Sequence, residues 1–138
     1  MGFQWTPDLA VGVHSIDQRH KEIFRRVDAL VEATSKGGGR ERLAELLPFL
    51  GSYVEHLGDE ERAMRSAGYP DSAQHEQLHA AFRADVAGLR QRFEMEGAST
   101  ALTLAVQKRL VEWLVHHVRR EDKALGAFLK QRKRSALA

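Results

Sequence analysis

Three short clusters of turn-forming residues divide the chain into four long segments, and this division constrains the fold more than any other feature. The clusters are Lys36-Gly37-Gly38-Gly39, Gly68-Tyr69-Pro70-Asp71 and Glu96-Gly97-Ala98-Ser99. Glycine and proline at such points end helices and favour turns. Because each connection is only a few residues long, consecutive segments are expected to run antiparallel to each other.

Each of the four segments carries apolar residues at helical spacing. In the third segment, intervals of three or four residues separate Leu78, Phe82, Val86, Leu89 and Phe93. Such a stripe covers one face of an α-helix, and no strand pattern competes with it. The sequence therefore predicts an all-α protein with an up-down-up-down antiparallel four-helix bundle. We expect one domain over 1–138, with an irregular N-terminal arm at 1–14 and a basic C-terminal tail at about 130–138.

Composition excludes several classes of site and partner. The chain has no cysteine, which removes disulfide scaffolds, thiolate metal sites and cysteine nucleophiles. The net charge is only +2, and the basic residues of the C-terminal tail are typical of a solvated helix end, so no nucleic acid partner is expected. The N-terminus lacks a basic region followed by an apolar run, and no stretch approaches the ~18 apolar residues of a membrane span. These features predict a cytoplasmic protein.

Histidines lie on the apolar stripes rather than on the solvated faces. Helix positions four residues apart point in nearly the same direction, one turn apart, so a pair at this spacing can direct two ligand atoms to one point. Two pairs have this spacing, His56 with Glu60 and His75 with His79. The sequence therefore predicts two chelating pairs inside the bundle.

The first and fourth segments add further polar residues to the stripes. They are His20 and then His117, which is followed by Glu121 and Asp122. One buried histidine is usually an ordinary core residue, but five histidines with two carboxylates would leave many polar groups unmet, at roughly 1–3 kcal/mol each. A buried metal centre removes this cost, and ligands without thiolate suit iron, manganese or zinc. Two ions bridged by the two carboxylates would use all seven ligands.

Together the motifs resemble the hemerythrin family, and specifically its single-domain bacterial members. The family pattern is a histidine on the first helix, His-x-x-x-Glu on the second, His-x-x-x-His on the third and His-x-x-x-x-Asp on the fourth. This chain has His20 in IDQRH, then HLGDE, HEQLH and HVRRED. The resemblance runs from about Trp5 to Leu129 and includes the pieces EERAM and GYP.

The resemblance implies a non-haem di-iron site that binds O2 reversibly. The family's metal ligands correspond to His20, His56, Glu60, His75, His79, His117 and Asp122. It assigns one iron to His75, His79 and His117, and the other to His20 and His56. Glu60 and Asp122 bridge the two irons beside an oxo or hydroxo group. O2 is the expected partner, with NO and peroxide as other candidate ligands.

An apolar wall is expected beside the second iron, where O2 would bind. The candidate wall residues are Ile23, Phe24, Leu57, Trp113 and Leu114. The same side chains would also serve as ordinary core packing. Leu57 departs from the family pattern, which has phenylalanine after the second-helix histidine, and this predicts a wider pocket.

Adjacent residues pose alternatives at three ligand positions. His116, Glu61 and Glu121 lie next to His117, Glu60 and Asp122. His117 and Asp122 are also five residues apart, about 140° on an ideal α-helix. They must either straddle the site or lie on a helix that carries a π-bulge.

Three classes of function compete. The first is a binding protein for O2 carriage, storage, delivery or sensing. The second is a di-iron enzyme that activates O2 or reduces peroxide, and Tyr53 on the second stripe keeps this alternative open. The third is an iron-storage or NO-binding regulatory bundle. Five histidines against two carboxylates favour binding over catalysis, and we do not expect an enzyme.

Overall fold

The computed structural model describes residues 4–137, with side chains described up to Arg134. Four long helical rods form the chain. The first rod is α1, His14–Ser35, and the second is α2, Gly39–Glu55, followed by α3, Leu57–Ala67. The third is α4, Ser72–Glu96. The fourth runs without a break through α5, Thr100–Glu112, a π-helical segment, Trp113–Asp122, and α6, Lys123–Leu137.

No strand occurs between residues 4 and 137, and the predicted all-α four-helix bundle is confirmed. Residues 1–3 and 138 of the predicted domain lie outside the described part of the chain. Within that part, no helix combines the length and the apolar character needed to cross a membrane.

The three connections fall at the predicted turn clusters. Gly68 ends α3 with a left-handed backbone (φ 67°), and the N–H of Tyr69 donates to the Met64 carbonyl at 3.0 Å. Glycine adopts this conformation without the steric cost that a side chain brings. Ser99 caps the start of α5, and its hydroxyl oxygen accepts from the N–H of Leu102 at 3.1 Å. Local chemistry thus ends one rod and starts another where the sequence predicted.

The second rod is interrupted at a single residue, His56. Its backbone N–H is shared between the carbonyls of Ser52 at 3.3 Å and Tyr53 at 3.1 Å. Its own carbonyl accepts from the N–H of Asp59 at 3.1 Å, a bond between residues three apart. Such bonds tighten the backbone relative to an α-helix, so the regular ladder breaks between α2 and α3.

The N-terminal arm contacts both the first rod and the fourth rod. It contains one short 3-10 turn, Pro7–Leu9, and Leu9 is buried in the main core. The Asp17 carboxylate accepts from the N–H of Val11 at 2.7 Å and of Gly12 at 3.2 Å. The arm also crosses the fourth rod at Gly126, where an added Cβ would lie 2.7 Å from a backbone carbonyl oxygen of the arm. The absence of a side chain at Gly126 therefore permits this crossing.

Candidate metal centre

Six ionisable side chains from all four rods meet in the interior of the bundle, and each is at most 4% exposed. They are His20, Glu60, His75, His79, His117 and Asp122. Among the described residues, no backbone group makes a hydrogen bond to these side chains, so their polar atoms depend on other side chains or on a bound cation. Side chains of this kind are the nitrogen and oxygen ligands that iron and zinc take in proteins.

Three histidines lie on one side of the two carboxylates, and we call this side the three-histidine face. His75 Nε2 is 2.7 Å from Glu60 Oε1 and 2.9 Å from Asp122 Oδ1. His79 Nε2 is 3.0 Å from Glu60 Oε1, and His117 Nε2 is 3.1 Å from Asp122 Oδ1. One ligand atom from each of these five residues lies within 4.8 Å of all the others. The cluster has the size and composition of a site for a metal ion.

His20 lies on the opposite side of the same carboxylates, which we call the His20 face. Its Nε2 is 3.1 Å from Asp122 Oδ2 and 3.6 Å from Glu60 Oε2. Each carboxylate therefore directs one oxygen to the three-histidine face and the other oxygen to the His20 face. A carboxylate in this orientation can join two cations.

Two atoms of the cluster test whether a cation fits. His117 Nε2 and Asp122 Oδ1 are 3.1 Å apart, yet neither makes a hydrogen bond within the described residues. Both atoms are fully buried, where an unmet polar atom costs about 1–3 kcal/mol. A metal ion between them would satisfy both, so the residues present fit metal binding.

The seventh predicted ligand, His56, is not part of the cluster. Its side chain is 35% exposed, and its Nδ1 lies 3.6 Å from Asp59 Oδ2. The four-residue spacing to Glu60 assumed an unbroken helix, but the second rod is interrupted at His56 itself. The structure thus brings together six of the seven predicted ligands and leaves His56 at the surface.

The π-helical segment accounts for the five-residue step between His117 and Asp122. A π-helix bonds residues five apart, so the two side chains stand about one turn from each other on the same face. The second alternative drawn from the sequence is therefore what the structure contains. His116 is exposed and Glu121 is partly exposed, so neither belongs to the cluster.

Glu61 has a role that the sequence did not reveal. The Nδ1–H of His79 donates to Glu61 Oε2 at 2.8 Å, and the Arg83 guanidinium donates to both carboxylate oxygens at 3.0 and 3.1 Å. A carboxylate behind a ligating histidine fixes the tautomer and the ring orientation. The available signal was Arg83, which lies four residues after His79 and so shares its helix face.

Neighbouring carboxylates and histidines of the cluster shift one another's pKa values. Burial alone would raise the pKa of Asp122, but the charge of His117 and the neighbouring His20 and His75 hold that pKa well below its ordinary value. In Glu60, burial and the charge of Asp122 raise the pKa, and the three histidines of the three-histidine face bring it below its usual range. Burial lowers the pKa of His75, but the carboxylates of Asp122 and Glu60, 2.9 and 2.7 Å from its Nε2, raise it to about 10. Metal binding must therefore displace protons from imidazoles.

All five predicted wall residues are buried in the main apolar core. They are Ile23, Phe24, Leu57, Trp113 and Leu114. The Trp113 ring stacks on His117, with 3.8 Å between ring centroids and 8° between planes. Its indole N–H donates to the Tyr53 hydroxyl at 3.0 Å. Burial and the charges of the nearby carboxylates raise the pKa of Tyr53 well above its ordinary value, so this phenol stays neutral.

Comparison with known proteins finds relatives over most of the chain. The family model described as "Hemerythrin HHE cation binding domain" matches residues 11–129. A bacteriohemerythrin of Stenotrophomonas maltophilia (strain R551-3) is 34% identical over 128 residues, which cover 91% of this chain and 80% of that protein. A bacteriohemerythrin of Pseudomonas paraeruginosa is 32% identical over 119 residues, or 86% and 75% of the two chains. A myohemerythrin of Theromyzon tessulatum is 26% identical over 120 residues, or 87% and 88%.

Proposed function

The chain belongs to the hemerythrin family, and on this premise we propose that it is a non-haem di-iron protein that binds O2 reversibly. Carriage, storage, delivery and sensing of O2 all use such a site. The observation that carries the proposal is the orientation of the two buried carboxylates. Each directs one oxygen to the three-histidine face and one to the His20 face, as a bridge between two irons requires.

The proposed roles of the ligands follow from these two faces. His75, His79 and His117 would hold one iron, His20 together with His56 would hold the other, and Glu60 and Asp122 would offer one oxygen to each. Two ferrous ions, when bound, supply the two electrons that reversible O2 binding uses. Histidine-rich ligation stabilises high-valent iron less than carboxylate-rich ligation does, which supports binding over oxidation chemistry.

The surrounding residues keep the site dry and fixed. Ile23, Phe24, Leu57 and Leu114 exclude water from the side of the bridging carboxylates, because their side chains offer no hydrogen-bonding group. Trp113 supports the His117 ring by stacking on it. Glu61 orients His79 through the bond to its outer nitrogen. Tyr53 donates no proton readily, because its pKa is well above the ordinary value.

One observation favours a second candidate, an enzyme that consumes O2 or peroxide. Tyr53 and Trp113 are oxidisable, hydrogen-bonded to each other, and in contact with the histidine cluster through the Trp113 ring. Side chains of this type can give up an electron when O2 is reduced beyond the two-electron stage. The binding function predicts that they stay unchanged over many cycles.

The test is the absorption spectrum of iron-loaded, reduced protein under argon, then in air, then under argon again. We expect a ligand-to-iron charge-transfer band that appears in air and disappears under argon over repeated cycles, with about two irons per chain. Oxidation that does not reverse after the first exposure to air would contradict O2 carriage. A metal content near one iron per chain would contradict the two-iron proposal.

A further inference from the structure

The two faces of the cluster are unequally prepared for metal. On the three-histidine face, three imidazole Nε2 atoms lie 2.7–3.1 Å from the nearest carboxylate oxygen. On the His20 face only one imidazole is present, at 3.1 Å from Asp122 Oδ2. A cation on the three-histidine face thus finds its ligands assembled. A cation on the His20 face finds one histidine and the second oxygens of the two carboxylates.

The histidine that would complete the His20 face is engaged elsewhere. His56 is 35% exposed, whereas no histidine of the cluster is more than 4% exposed. Its nearest carboxylate is Asp59 at 3.6 Å, and Asp59 is in turn paired with Arg62 and lies 4.0 Å from Arg19. The regular backbone ladder breaks at His56, which leaves this residue less constrained than one inside a helix.

We propose that the two metal ions bind in sequence and that His56 is recruited only by the second ion, turning from Asp59 into the bundle. The inference rests on the two-metal assignment of the proposed function. The first ion takes the three-histidine face, where little has to move. The second ion meets two carboxylates already shared with a cation and must also order an exposed side chain, a step that by itself weakens binding about two- to tenfold. The ions should therefore differ in affinity by about tenfold or more.

The accessibility of each histidine during a metal titration tests the proposal. We suggest adding Zn²⁺, which takes nitrogen and oxygen ligands without redox change, to metal-free protein. Imidazole acylation by diethylpyrocarbonate would be measured by mass spectrometry at each step. His14 and His116 are exposed and serve as internal controls that should react equally throughout. The four buried histidines should stay unreactive.

We expect His56 to react in the metal-free protein and after one equivalent of Zn²⁺, and to lose this reactivity with the second equivalent. Protection of His56 before metal is added, or by the first equivalent, would overturn the proposal. Continued reaction of His56 when two equivalents are bound would also overturn it.

A pair of variants provides the second readout. His56→Ala should lose the weaker Zn²⁺ equivalent and keep the tighter one, whereas the matched control His116→Ala should keep both. Unfolding of the metal-free variants followed by circular dichroism shows whether each is folded. Two unchanged equivalents in folded His56→Ala would refute recruitment.

The outcomes separate this inference from the proposed function. If Zn²⁺ binds in two steps and protects His56 but the iron protein does not bind O2 reversibly, only the O2 function fails. If O2 binding is reversible but the first equivalent already protects His56, only the sequence of binding fails. One Zn²⁺ equivalent at saturation contradicts both.

Discussion

Replacing Glu61 with alanine should weaken the three-histidine face without dismantling it. Glu61 does not reach the cluster, but it accepts the outer N–H of His79 at 2.8 Å and is held by two bonds from Arg83. Loss of such a carboxylate typically lowers metal affinity 10- to 100-fold. This range corresponds to about 1.4–2.7 kcal/mol. We expect the tighter Zn²⁺ equivalent of Glu61→Ala to weaken within it.

The neighbouring carboxylate gives the comparison. Glu60 contacts imidazoles on both faces, so Glu60→Ala should weaken both Zn²⁺ equivalents and by more than Glu61→Ala does. Glu61→Gln should fall between the parent protein and Glu61→Ala, because an amide oxygen still accepts from His79 but carries no charge. Arg83→Met should have a smaller effect, because Arg83 is partly exposed and acts only through Glu61.

Zn²⁺ affinity would be measured by competition with a chromophoric chelator, together with thermal unfolding of each metal-free variant. If Glu61→Ala and Glu60→Ala lose affinity equally, the assignment of Glu60 as the bridging residue is wrong. If Glu61→Ala binds Zn²⁺ like the parent protein, the bond to His79 does not orient a ligand. A loss in thermal stability with unchanged affinity would show a purely structural role for Glu61.

Leu57→Phe should fill space beside the cluster and slow autoxidation at unchanged iron content. Overpacking would instead destabilise the fold by about 1–3 kcal/mol, which thermal unfolding measures. A folded variant that autoxidises at the parental rate would place Leu57 outside the O2 pocket. Metal-free protein should be most stable between pH 4.5, the ordinary pKa of Glu60, and pH 6.5, the ordinary pKa of His75. The raised pKa of His75, about 10, gives stability that is complete below pH 6.5 and is lost as the pH rises toward 10. The lowered pKa of Asp122 gives stability that is lost as the pH falls below 3.8. Thermal unfolding against pH measures both limits, and an unfolding temperature that still rises from pH 6.5 to 10 would contradict this sign. Gly126→Ala should destabilise the fold by about 1–3 kcal/mol because its Cβ would press on the arm backbone. The control Gly88→Ala, with open space around it in α4, should be neutral or stabilising by about 0.5–1 kcal/mol. Equal unfolding temperatures of the two variants would show that the arm does not pack on α6.

The helical rods and their boundaries could be predicted because they depend on local features. Apolar spacing and the three turn clusters act within a few residues, and the structure places the connections at 36–38, 68–71 and 97–99. The residue types of the cluster could be predicted for the same reason, since spacing on a helix fixes which side chains share a face.

The details that depend on backbone irregularity or on contacts between rods could not be predicted. The spacing of His56 and Glu60 reads as one helical turn, but the break in the second rod is not visible in the letters HLGDE. The bond between His79 and Glu61 joins two rods, so no pattern within either rod reveals it. The step from His117 to Asp122 signalled an irregularity, but it did not distinguish a straddled site from a π-helix.

The π-helical segment also sets the phase of the chain that follows it. A π-helix turns less per residue than the ~100° of an α-helix, so by Asp122 the fourth rod lags behind the rotation that an uninterrupted α-helix would have reached. Only with this lag do Leu125 and Gly126 of α6 face the arm. A single backbone irregularity therefore places His117 and Asp122 on one face and also turns α6 toward the arm. Deleting one residue between His117 and Asp122 would leave a four-residue step, which a regular α-helix spans in about one turn, so α6 would keep its register with the arm.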